Sequence, residues 1–175
     1  MVKAVLLSLH VVAAIVLIGP ITVAASVFPR YARLAAVSGP SDRGAGLDRS
    51  VTAEGAWAVA AAMHRISRGY AIPALAVPVF GIGVGSALGV LNQGWVLVSM
   101  ALTALAGVLL AVGIVPGQRQ VLTAAAGRGE SLTGPAADAA PGRLRRLAMV
   151  TGGFSLIWVV VVVLMIVRPG STTGV

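Results

Sequence analysis

Leu147-Ala148-Met149-Val150-Thr151-Gly152-Gly153-Phe154-Ser155-Leu156-Ile157-Trp158-Val159-Val160-Val161-Val162-Val163-Leu164-Met165-Ile166-Val167 contains no Asp, Glu, Lys or Arg. At a rise of 1.5 Å per residue, roughly 20 residues cross a hydrocarbon core of about 30 Å, and a run of 18 or more reads as a spanning helix. Its second half is almost entirely large apolar side chains, as expected of a helix that mostly faces lipid. Three further runs share the property: Ala4 to Phe28, Gly69 to Val90 and Trp95 to Pro116. The whole chain is 58% hydrophobic and 10% charged, against about 25% charged residues in a typical soluble domain. The expected fold is therefore all-α, a four-transmembrane-helix bundle in a single membrane domain of residues 1–175.

Charge orients the spans, because loops that stay in the cytoplasm carry an excess of Lys and Arg near the span ends. Arg30, Arg33, Arg43, Arg49, Arg65 and Arg68 lie in loop 29–68, and Arg119, Arg128, Arg143, Arg145 and Arg146 in loop 117–146. Lys3, Arg168 and the uncharged turn Leu91-Asn92-Gln93-Gly94 fall on the other side. The expected topology is two hairpins in the same orientation, both basic loops cytoplasmic and both termini outside. A cleaved signal peptide is the rival reading of the first run, since Lys3 precedes it and Val23-Ala24-Ala25 has a cleavage-like pattern. The apolar stretch exceeds the 7–15 residues of a signal core, and its removal would misplace the arginines that follow, so a retained helix is expected.

The net charge of +8 is read as orientation plus contact with anionic lipid headgroups; with no aromatic-rich soluble domain, no nucleic-acid partner is expected. Cysteine is absent, which removes disulfides, thiolate metal sites, iron–sulfur ligation and covalent c-type haem attachment. Arginine far outnumbers lysine amid abundant Ala, Gly and Val, a composition associated with high-GC bacteria, so the expected location is the bacterial plasma membrane.

Between the spans, 38–49 reads as turn-forming and 127–142 as a flexible connection, rich in Gly, Pro and Ser. Residues 52–68 differ, with Trp57, Ala60, Ala61, Met63 and Ile66 spaced between polar positions, as in an interfacial helix running into the second span. Val5-Leu6-Leu7-Ser8-Leu9 echoes Val96-Leu97-Val98-Ser99-Met100, consistent with a duplicated hairpin. Phe28-Pro29-Arg30 ends the first span much as Val115-Pro116 ends the third, with these two prolines out of step by one helical turn.

Helices in lipid associate through close-packed small residues rather than the hydrophobic effect. Gly81, Gly85 and Gly89 recur every fourth residue, Gly83 and Ala87 form a second stripe, and Thr103, Gly107 and Ala111 repeat the pattern on the third span. These faces, with Trp57, serve either internal packing or a partner interface. Pro20, Pro73 and Pro78 favour kinks, yet the spans lack intramembrane charges for a transported ion to meet, so transport by this chain alone is not expected.

His10 is the ionisable side chain inside a span. It is either a histidine satisfied by a carbonyl or by a hydroxyl such as Ser8, Ser99 or Thr103, or a cofactor ligand. His64 falls at the opposite end of the spans, about 20 Å away. Met100 and Met165 lie at depths near His10, which permits a His/Met haem or cuprous site, although methionine is ordinary filling between helices and that reading is preferred. No catalytic residues or metal centre are expected, and no acid, base or oxyanion donor lies near enough to assemble a reaction.

Leu9-His10-Val11-Val12-Ala13-Ala14-Ile15-Val16 with Gly19, the closing Phe28-Pro29-Arg30, and the entry through Arg65 and Arg68 toward Gly81 and Gly85 resemble a known family. It comprises small integral membrane proteins of unknown function, akin to the copper-resistance D domain and the membrane-bound protoporphyrinogen oxidase. The resemblance implies a helical bundle and, in the active relatives, a first-span histidine that binds haem or metal; here His10 alone matches. Spans two to four lack charged residues and the oxidase-like basic residues, so the fold carries over and the reaction does not. The expected role is a non-catalytic accessory subunit docking onto a larger membrane protein complex, a transport, respiratory or lipid-uptake assembly, without a cofactor. The alternative is a redox protein holding haem b or copper at His10.

Overall fold

A computed structural model describes residues 1–37, 53–126 and 140–170; the segments 38–49 and most of 127–142, read above as turn-forming and flexible, lie largely or wholly outside them. Every regular element among the described residues is helical. Helix α1 (Val2–Ala13) passes through a π-helical segment (Ala14–Ile18) into α2 (Gly19–Val37). Helix α3 (Ala53–Ala71) is followed by a 3₁₀ turn (Pro73–Leu75) and α4 (Ala76–Leu88). Helix α5 (Gly94–Val108) passes through a second π-helical segment (Leu109–Ile114) into α6 (Val115–Ala126), and α7 (Ala140–Val167) completes the order.

Three of these helices, Val2–Ala36, Gly94–Ala126 and Gly142–Val167, are each long and apolar enough to cross a membrane. The pair Ala53–Ala71 and Pro73–Leu88 meets the same test as one span bent by 40°. These are the helices of a multi-pass membrane protein. The bend falls where Pro73 removes a backbone donor, and Ile72 opens a tighter turn in which Leu75 N–H reaches the Ile72 carbonyl at 3.0 Å.

The helices outrun the apolar stretches. The first continues past Phe28 to Val37, the third past Pro116 to Ala126, and the fourth begins at Ala140, before the three arginines Arg143, Arg145 and Arg146. Arginine is a good helix former, and leaving the hydrocarbon ends the need for apolar side chains without ending the helix. Pro29 stands inside α2. Each π-helical segment ends two residues before a proline, at Ile18 ahead of Pro20 and at Ile114 ahead of Pro116. A proline ring crowds the carbonyl four residues back and offers it no N–H, and a local widening to π geometry relieves that conflict while keeping the backbone bonded. The two hairpins thus share a widened turn and a proline at matching places, a stronger echo than the Val-Leu pattern of the outer turns.

Two apolar clusters lie along the molecule. Midway, Ile18, Ile21 and Ala25 of the first helix meet Val77 of α4, Ala106, Leu110 and Ile114 of the third helix, and Phe154 of α7. Toward the arginine-rich end, Phe28 and Ala32 meet Ala60, Leu144 and Leu147, with Val121 and Leu122 packed alongside. There α2 lies against α3 and α7, and α6 against the same two helices; toward the other end α1 pairs with α4 and α5 with α7. The outward faces carry Val112 at 73% exposure and Met149 at 69%, an arrangement suited to lipid and not to water.

The close helix approach on the third span is made by a pair the sequence reading passed over. A Cβ on Gly113 would sit 3.0 Å from Val150 Cγ1, and one on Gly117 would sit 3.0 Å from Leu147 Cδ1. Gly113-Ile114-Val115-Pro116-Gly117 is therefore the small-xxx-small contact that brings this helix against α7. At Gly107 nothing lies within 4 Å, and that face is open. The turn after α4 closes on Gly89 in the left-handed conformation (φ 72°), with Gly89 N–H on the Ser86 carbonyl and Val90 N–H on the Gly85 carbonyl, the Schellman arrangement.

Candidate functional site

His10 faces α4. Its Nδ1 lies 2.9 Å from the Val77 carbonyl oxygen. A carbonyl accepts only, so Nδ1 carries the proton and donates it, leaving Nε2 with the lone pair. The Cε1 side of the ring packs against Gly81: a Cβ there would stand 3.0 Å from Cε1 and 3.3 Å from Nδ1. Gly81 is thus a glycine because an imidazole occupies the space over it. Ser99 and Thr103 are turned to their own helix, with Ser99 Oγ donating to the Trp95 carbonyl and Thr103 Oγ1 to the Ser99 carbonyl, both at 2.8 Å.

Of the remaining residues singled out from the sequence, Met100 points outward at 40% exposure. Met165 is half-buried near the end of α7, and its carbonyl accepts from Arg168 Nε at 3.4 Å. Met100 is carried by α5, which packs mainly on α7. Gly85 is covered by the chain itself, since a Cβ would come 2.6 Å from Leu91 Cδ2. Gly89 serves the turn. Trp57 packs against the Phe28 cluster. Gly81, Gly85 and Trp57 are therefore committed to contacts within the molecule, while Gly107 remains open to the surroundings.

A polar network that composition and spacing did not reveal lies between α3 and α6. Gln118, fully buried, accepts at Oε1 from His64 Nδ1 (3.2 Å) and donates from Nε2 to Ser67 Oγ (3.3 Å). His64 and Ser67 are three apart and share a helix face. That spacing was visible in the sequence, but nothing in it marked Gln118 as their partner across the bundle. Both polar ends of the amide are used, so the network ties α3 to α6 in a fixed register at little desolvation cost.

At the opposite end, Trp95 Nε1 donates to Gln93 Oε1 at 2.6 Å and the Arg168 guanidinium lies 5.9 Å over the Trp95 ring. An amphipathic aromatic with a cation on its face is typical of a membrane–water boundary. Among the described residues, no three His, Cys, Asp or Glu side chains gather where they could hold a metal ion. No protein-family model, curated protein or solved structure matches the chain.

Proposed function

We propose that this protein is a non-catalytic accessory subunit of a larger assembly in the bacterial plasma membrane. In this reading it is a four-transmembrane-helix bundle of two like-oriented hairpins, with both termini outside. Its arginine-rich end projects into the cytoplasm as a docking platform. The observation that carries the proposal is the length of the helices. Val2–Ala36 has 35 residues and Gly94–Ala126 has 33, so each reaches about 50 Å where about 30 Å suffices to cross. The surplus is packed around its own cluster of Phe28, Ala32, Ala60, Leu144 and Leu147. Topology signals and headgroup contact require only arginines at the span ends, whereas a packed helical extension outside the hydrocarbon offers a rigid surface of the kind a partner protein grips. The side assigned to this end rests on eleven of the thirteen basic residues falling within sequence segments 29–68 and 117–146.

Mild-detergent purification of tagged protein from its native host tests the proposal. A stoichiometric partner identified by mass spectrometry is expected; a chain that purifies as a stable monomer and gives no crosslinked partner contradicts it. A second reading, haem b or cuprous copper at His10, is favoured by the tautomer: Nδ1–H on a backbone carbonyl with Nε2 unprotonated is how ligating histidines are held. A Soret band or bound copper in the same preparation, lost in His10→Ala with the fold intact, would support that reading, and a colourless, copper-free preparation would end it.

A further inference from the structure

Two buried polar atoms have no hydrogen-bond partner among the described residues, the Trp158 indole Nε1 and the Thr151 hydroxyl, and Thr151 stands beside a groove. Thr151 is 4% exposed. A helical threonine ordinarily turns its hydroxyl to the carbonyl four residues back, as Thr22 does here to Ile18 at 3.0 Å. Thr151 does not, and an unmade hydrogen bond in a buried setting is costly.

Thr151 lines an open groove of about 560 Å³ between α2 and α7. The volume falls within the roughly 300–1,000 Å³ of small-molecule sites. Ser26, Pro29, Arg30 and Arg33 form one wall on one face of α2, and Ala148, Thr151 and Gly152 form the other. Small side chains hold the groove open, and nothing lies within 4 Å of a Cβ built on Gly152. Arg30 and Arg33 are exposed, and Glu54 is the sole carboxylate among the described residues. Among the described residues the groove is thus cationic at its mouth and apolar along its walls.

Depth sets what fits. Arg30 follows Phe28 by two residues, at the boundary where α2 leaves the apolar run, and Arg33 lies about 5 Å beyond it. Thr151 is four residues inside the apolar run that begins at Leu147. Two arginines at the headgroup level beside a groove that runs into the apolar stretch match a phospholipid in sign and in order, charged head outward and acyl chain inward.

We propose that this groove is a binding site for one anionic glycerophospholipid, its phosphate held between Arg30 and Arg33 and an acyl chain laid along the apolar wall of Ala148 and Gly152. Arg forks suit phosphate oxygens, and basic pockets between spanning helices are a known mode of headgroup recognition. The site stands independently of any docking role.

Native mass spectrometry of detergent-purified full-length protein, titrated with palmitoyl-oleoyl phosphatidylglycerol, tests it. Wild-type protein is expected to retain one lipid. Gly152→Leu, whose Cβ enters open space on the groove wall, should lose it, as should the double variant Arg30→Gln, Arg33→Gln, each by roughly tenfold or more in affinity. The control pair Arg145→Gln, Arg146→Gln should retain it. Thr151→Val should leave lipid binding unchanged while raising the melting temperature of the lipid-free protein, because the orphaned buried hydroxyl is gone. Equal retention by wild type and a folded Gly152→Leu overturns the site, as does equal loss in the control pair. Inorganic phosphate at millimolar concentration should leave the lipid bound; displacement by phosphate alone would overturn the lipid assignment in favour of a free phosphate compound.

Discussion

At the scale of single residues, the contact between His10 and Gly81 joins the first and second spans. The imidazole is tethered by its bond to the Val77 carbonyl, so it cannot yield the few tenths of an ångström that a methyl on Gly81 demands. Gly81→Ala is therefore expected to destabilise the protein by about 1 kcal/mol despite alanine's better helix propensity. In a His10→Ala background the same change should become neutral or stabilising. A double-mutant cycle on thermal unfolding in detergent reads the coupling, and additive effects would refute the tether. Gln118→Leu removes both the acceptor of His64 and the donor to Ser67, and should cost about 1–3 kcal/mol in the same assay; an unchanged melting temperature would show the network to be idle. Half of this was legible beforehand. His10 stood out because an ionisable side chain inside an apolar run has few ways to be satisfied, and a backbone carbonyl was among those foreseen. Gln118 did not stand out, because glutamine beside arginines looks like ordinary solvated surface until another helix is laid over it.

At the scale of elements, the apolar runs were legible and the helix ends were not. Hydropathy reports where lipid begins and ends, and arginines at a boundary say nothing about whether the backbone continues as helix through Arg30 and Arg33 or Arg119. The glycine faces were legible as patterns but not in their partners: spacing at four residues marks Gly81, Gly85 and Gly89 alike, although one receives a ring, one a leucine, and one a left-handed turn. The contact between the third and fourth spans rests instead on Gly113 and Gly117. Val150, which faces Gly113, is β-branched and stiff, whereas the Leu147 methyl facing Gly117 can rotate aside. Gly113→Leu is thus expected to destabilise by about 1–3 kcal/mol, Gly117→Ala to be tolerated, and Gly107→Ala, in open space, to stabilise by up to about 1 kcal/mol. Thermal unfolding of the three variants checks the order, and a costly Gly107→Ala would place a contact where none lies.

At the scale of the whole molecule, charge and length work together. Arg30, Arg33, Arg65, Arg68, Arg119, Arg143, Arg145 and Arg146 stand on helices that continue past the apolar runs, so in the proposed topology the basic end is a built surface as well as an orientation signal. The absence of cysteine makes single-cysteine labelling in intact cells straightforward. Cysteines placed at Val2 and Arg168 should react with an impermeant maleimide, and one at Ala36 should react only after the membrane is opened; the reverse pattern would invert the topology.

The most direct measurement of docking is site-specific photocrosslinking in native membranes, with the probe at Ala36, Gln120 or Arg145 on the arginine-rich extension and at Val12 or Val98 on the opposite half, all exposed positions. Docking predicts that probes on the extension capture one common partner protein. Contradiction would come if the extension captured nothing but lipid or copies of itself.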